Sequence, residues 1–115
     1  MNSPKRPINE HDAYHAHVYF DANTLDFATS LCQRIGENFS LRVGRMYKKP
    51  VGPHTMWSCQ VLFTRSDFDS FIPWLDENRG SLSVLIHADS GDELADHTKY
   101  AYWLGDEVEL DLRGF

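Results

Sequence analysis

Residues 14–20 read Tyr-His-Ala-His-Val-Tyr-Phe, and only an extended strand sorts so strict an alternation into two faces. Ala16, Val18 and Phe20 fall on one side, His15, His17 and Tyr19 on the other. One side is built for an apolar core, while the other carries two imidazoles and a phenol.

The segments that follow show what could cover the apolar side. After Asp21 and Asn23, both plausible helix caps, Leu25, Ala28, Leu31, Cys32 and Ile35 recur at helical spacing, and Gly36 reads as a stop. Residues 41–48 form a second strand, followed by the turn-rich Lys-Lys-Pro-Val-Gly-Pro-His. A third strand covers 56–63. Ser66 and Asp67 open a second helix that turns Phe68, Phe71, Ile72 and Leu75 inward, and Gly80 ends it; Pro73 inside it predicts a kink or a restart. A fourth strand runs from 82 to 87. The order β-α-β-β-α-β predicts an α+β, ferredoxin-like sandwich: an antiparallel sheet with both helices on one face. The 88–115 tail is an extension whose short alternations at 99–104 and 108–112 suit an edge strand or a cap over the open face. Residues 1–13 read as a flexible lead-in to a single domain over 14–115.

Bulk composition narrows the function. With 17 acidic and 11 basic side chains the net charge is −6, so nucleic acid is disfavoured. Arg42, Arg45, Lys48 and Lys49 alternate as a solvated strand edge does. No segment has the apolar run of a signal peptide or a membrane span. Cys32 and Cys59 lie in apolar periodic segments and read as buried thiols of a reducing cytoplasm, not as a disulfide.

Strand parity then predicts a site. If the helices pack on Ala16, Val18, Phe20, Cys59, Val61, Phe63, Leu82, Val84 and Ile86, the opposite face shows His15, His17, Tyr19, Ser58, Gln60, Ser83, Leu85 and His87. In the strand order 4-1-3-2, strand four lies antiparallel beside strand one, which brings His87 to His15 and His17. Residues i and i+2 of a strand are about 7 Å apart at Cα, close enough for both imidazoles to reach one metal ion. His15, His17 and His87 are therefore the candidate metal ligands, and imidazole suits iron, zinc and copper. Asp89, Asp92, Glu93, Asp96 and Glu107 are the carboxylates near enough to join them. His54 is expected at the far end of the sheet from His87, as a substrate contact, an acid or base, a residue that reaches the site of a second subunit, or a plain turn residue. His97, after Asp96, reads as a ligand, a proton shuttle or a loop cap; His11 reads as inert.

Four blocks carry a resemblance: 14–21 (YHAHVYFD), 48–57 (KKPVGPHTMW), 74–97 (WLDENRGSLSVLIHADSGDELADH) and 101–105 (AYWLG). Together they resemble the DOPA 4,5-dioxygenase family of the compact fungal and bacterial type, with His15, His17, His54, His87 and His97 at its histidine positions. Ala88 departs from the proline expected after the strand-four histidine. The resemblance implies Fe(II)-dependent extradiol cleavage of a catechol by O₂; from L-DOPA the product is a seco-DOPA that can cyclise to betalamic acid. In such a reaction His54 and His97 are the candidate catalytic residues and the rings of Tyr19, Trp57, Tyr102 and Trp103 the candidates to flank the substrate, while Arg79, beside Gly80, reads either as the partner of a substrate carboxylate or as a charge near the helix C-terminus. Two other readings compete, a non-catalytic dimeric ligand-binding module and a zinc hydrolase on the same histidines. A homodimer is expected, because an apolar face bearing histidines needs cover.

Overall fold

The alternation at the start of the chain becomes β1 (Ala13–Phe20), the middle strand of a five-stranded sheet in a computed structural model that describes residues 4–115. The other elements are α1 (Leu25–Phe39), β2 (Arg42–Tyr47), β3 (Trp57–Thr64), α2 (Arg65–Asn78), β4 (Val84–Ala88), α3 (Glu93–Asp96) and β5 (Ala101–Leu104). The sheet order is β2-β3-β1-β4-β5 with every neighbour antiparallel. This is the ferredoxin-like arrangement, with β5 added outside β4.

Both helices cover the face predicted by parity. Ala16, Val18, Phe20, Cys59, Val61, Phe63, Val84 and Ile86 form one buried cluster with Leu31 and Ile35 of α1 and Phe68, Phe71 and Leu75 of α2. Each such large apolar side chain contributes roughly 1.5–3 kcal/mol on leaving water, so this layer dominates the stability. Cys32 and Cys59 lie within it as buried free thiols.

Three local expectations change. Gly36 does not stop α1; the helix runs on to Phe39 and ends at Ser40, which adopts the left-handed conformation at φ 54°. Phe39 extends the Leu31, Cys32, Ile35 stripe by one turn and packs on Phe71 and Trp74, which outweighs the helix penalty of one glycine. The start of α1 is prepared by Asp21, whose Oδ1 accepts from the backbone N–H groups of Asn23 and Thr24. Second, Pro73 lies on the exposed face of α2 without restarting the helix. Third, α2 begins earlier than expected: Thr64 caps it, and the Asp67 carboxylate accepts from both the N–H (2.9 Å) and the hydroxyl (3.0 Å) of Thr64.

The tail takes both of its expected roles. β5 pairs with β4, placing Trp103 opposite Leu85 and Ala101 opposite His87. Residues 106–115 then return beneath the open face as a strap. Leu110 bridges to His54, Asp111 N–H donates to the Pro53 carbonyl (2.8 Å), and Thr55 Oγ1 donates to the Glu109 carbonyl (2.7 Å). Val108 and Leu110 pack with Met56 on a second, smaller apolar cluster of Tyr19, Leu85, Ala101 and Trp103. The described part of the lead-in is also tied down. Trp103 N–H donates to the Lys5 carbonyl, the Tyr14 hydroxyl accepts from the N–H groups of Glu10 and His11, and His11 Nε2 lies 3.2 Å from the Tyr102 hydroxyl.

Candidate metal centre

The β1–β4 register sets His15 directly opposite His87, and His17 opposite Leu85. All three imidazoles project from the face that the helices do not cover, and their nearest ring nitrogens lie within 4.8 Å of one another. His17 Nε2 and His87 Nε2 are 2.9 Å apart. Two imidazole nitrogens bound at right angles on one ion, each at about 2.1 Å, stand about 3 Å apart, so this spacing fits a shared metal. The outer partners fit as well. His87 Nδ1–H donates to the Ala88 carbonyl (2.8 Å), which leaves Nε2 bare for a metal, and His15 Nε2 faces Asp89 Oδ2 at 3.4 Å.

Burial settles the charge of His17 and His87. Removal from water, reinforced by His54 and His87, holds His17 well below its ordinary pKa. Burial likewise pulls His87 down to about 3, against an upward pull from the Ala88 carbonyl. Both are neutral near pH 7, the form in which imidazole binds metal. The donor set fits iron, zinc or copper and does not select among them.

Two further histidines complete the cluster. His54 does not sit remote from the others: its ring centroid is 4.0 Å from that of His17. Its backbone enters at the end of the sheet expected from topology, but the loop of residues 48–56 folds back over the open face. A turn from Val51 to His54 and the bridge to Leu110 hold it there. His97, at the end of α3, lies 4.3 Å from His87 and 6.4 Å from His54, ring to ring. With His17 and His87 themselves 5.0 Å apart, the four rings outline a quadrilateral whose open side runs from His54 to His97. The buried Tyr19 hydroxyl is 2.6 Å from His54 Nδ1. Burial lowers the His54 pKa to about 4 and raises that of the Tyr19 phenol, so neither is charged near neutrality.

The remaining candidates divide by parity. Trp103 and Tyr19 lie on the histidine face, with rings 6.1 Å apart. Trp57 does not: it sits opposite Phe20 and meets that ring edge-on from the helix side of the sheet. Tyr102, opposite Ile86, also faces the helices. Arg79 caps the C-terminus of α2, where it pairs with Asp76 (2.8 Å) and donates to the Leu82 carbonyl. That places it beyond the Val84 end of β4, away from His87, in the role of a charge at the helix C-terminus. Among the candidate carboxylates Asp89 reaches His15, whereas Asp92 caps α3 and the buried Asp96 accepts from the Ser90 N–H and hydroxyl. Glu107 lines a cavity of about 460 Å³ that runs from His97 along Trp103 beneath the strap. Such a volume is in the range of small-molecule sites. The strap is the part of the site that parity alone does not locate; its one signal is the alternation at 108–112.

Known proteins bear on this geometry. A chain from Nostoc punctiforme, solved by crystallography and described as a candidate dioxygenase, superposes with a TM-score of 0.85 at 40% identity, over 93% of each chain. An uncharacterized 21.2 kDa protein of Botryotinia fuckeliana is 41% identical over 112 residues, and a DOPA 4,5-dioxygenase of Amanita muscaria is 30% identical over 108. These alignments take in 87% and 86% of this chain but 61% and 47% of the two relatives, so the chain spans about half to three fifths of their length. Residues 14–114 match the Dopa 4,5-dioxygenase family, and with that match running from β1 through the strap, the chain belongs to the Dopa 4,5-dioxygenase family.

Proposed function

We propose that the protein is a non-haem Fe(II) dioxygenase that opens the ring of a catechol in the extradiol manner, L-DOPA or a related catecholic acid being the substrate class. The observation that carries this reading is the convergence of His15, His17 and His87 within 4.8 Å, on the open face of a chain of this family. Iron held by His15, His17 and His87 would supply the O₂ chemistry of ring cleavage. The protein's own groups do the rest. His54 and His97 flank the cluster and handle protons at the substrate oxygens. Trp103 and Tyr19 form an aromatic wall beside them, and the strap limits water. The buried free thiols Cys32 and Cys59 suit a cytoplasmic setting, and among the described residues no helix is long and apolar enough to cross a membrane.

The test is oxygen consumption by anaerobically Fe(II)-loaded protein given L-DOPA, caffeate and protocatechuate, with absorbance followed for a yellow ring-opened product. Uptake with a yellow product, lost in His17→Ala and His87→Ala, is the expected result. Metal retention without oxygen uptake on any catechol points instead to the zinc hydrolase. Failure to retain any metal turns the histidine face into part of a ligand-binding module.

A further inference from the structure

His54 and His97 face each other across the open side of the ring quadrilateral, and each has one ring nitrogen committed to a different kind of partner. The carbonyl of Glu93 lies 2.8 Å from His97 Nδ1. A carbonyl only accepts, so Nδ1 carries the ring proton and Nε2 is bare in the neutral ring. For His54 the logic inverts. Among the described residues, the hydroxyl of Tyr19 has His54 Nδ1 as its one hydrogen-bond partner, and Tyr19 is 1% exposed. A buried phenol that merely accepted would leave its own O–H unpartnered, with nothing to offset the loss of its water. Tyr19 therefore donates to Nδ1, and the ring proton of His54 sits on Nε2.

Neither Nε2 has a hydrogen-bond partner among the described residues, and no side-chain nitrogen or oxygen there is both sealed from solvent and unpartnered. Both Nε2 atoms thus reach accessible space. We propose that Tyr19 and the Glu93 carbonyl preset His54 and His97 in opposite tautomers, so that together they select a ligand presenting an oxygen anion to His54 and a hydroxyl to His97. Tyr19 is then a positioning residue, acting through His54, and not part of the aromatic wall alone. A catechol that has lost one of its two protons presents this pair of oxygens. That assignment of the ligand rests on the dioxygenase reading; the tautomers do not.

The experiment is a long-range proton–nitrogen correlation spectrum of the uniformly ¹⁵N-labelled full chain, metal-free and loaded with diamagnetic Zn(II), which distinguishes bare from protonated ring nitrogens. Expected are a bare Nδ1 and protonated Nε2 for His54, and the reverse for His97. In Tyr19→Phe, His54 should lose its preference while His97 keeps its own, and catechol should bind the Zn(II)-loaded protein roughly tenfold more weakly, the equivalent of one lost hydrogen bond. A protonated Nδ1 on His54 in the unaltered chain overturns the proposal, as does a His97 Nε2 shifted by zinc ligation. If Tyr19→Phe does not fold, the spectrum of the unaltered chain still decides. Normal tautomers with unchanged catechol affinity in Tyr19→Phe overturn the ligand assignment alone. None of these outcomes depends on turnover, so they separate from failure of the oxygen-uptake test.

Discussion

A histidine packed among other histidines is held neutral by its surroundings, and that ties the stability of this protein to pH. The unfolded chain titrates its histidines near 6.5, whereas the folded values are about 3 for His87 and about 4 for His54, with His17 also lowered. Between those limits the unfolded state binds more protons, so stability rises with pH across the window. The contribution is complete above about pH 6.5 and drains away as pH falls toward 3. Urea midpoints of the metal-free protein should therefore drop steadily from pH 7 to pH 5, and His87→Gln should flatten that slope; a flat profile in the unaltered protein would show that the cluster is solvated. The same rings set metal affinity. His87→Ala removes one of three donors and should weaken Zn(II) or Fe(II) binding by at least about 100-fold. Asp89→Asn, which removes only the carboxylate facing His15, should cost on the order of 10-fold. Chelator competition measures both, and equal losses would contradict the division between ligand and outer partner.

At the scale of elements, period 2 and period 3.6 in the sequence already locate both layers, because a helix stripe and a strand face each need only their own residues. The same parity that sends Cys59, Val61 and Phe63 toward the helices also sends Trp57 there, two residues earlier on the same strand. Its placement beside a substrate was therefore legible as inconsistent. His54 was not legible in this way. Residues 48–56 carry no period, and the loop's direction depends on the distant Leu110 and Asp111, which bridge to it from the strap. Helix ends were read only in part: Gly36 lies where a stop belongs, yet Phe39 still had core to fill. Gly80 was read correctly for a physical reason that can be tested. Its φ is +60°, and a Cβ there would come within 2.8 Å of the Phe27 ring. Gly80→Ala should destabilise by roughly 1–3 kcal/mol through backbone strain and that contact. Asp67→Ala, which deletes the carboxylate at the start of α2, should cost about 1 kcal/mol. Thermal melts give both figures, and neither variant should alter metal binding, since both sites lie on the helix side of the sheet.

For the whole molecule the decisive fact is that the sheet has two faces, while the two long helices among the described residues both lie on the same side. A bare second face exposes Leu85, Trp103 and the rim of Tyr19, and that exposure is the reason a sequence of this kind predicts a homodimer. The strap answers the same need from within the chain, because Val108 and Leu110 lie on those residues and main-chain hydrogen bonds hold the strap to the loop that carries His54. A homodimer of the full chain must then bury some other surface. The exposed edge of β2 is poorly suited, since it brings Arg42 and Arg45 with it and a two-fold pairing sets like charges together. Deleting residues 106–115 tests this account directly. Light scattering should show the shortened chain associating more strongly than the full chain, with more binding of a hydrophobic dye. Its His54 should lose order while His15, His17 and His87, fixed by β1 and β4, still bind Zn(II). If the shortened chain scatters like the full one and binds no more dye, the strap is a passive tail, and the second face must be covered by a partner subunit after all.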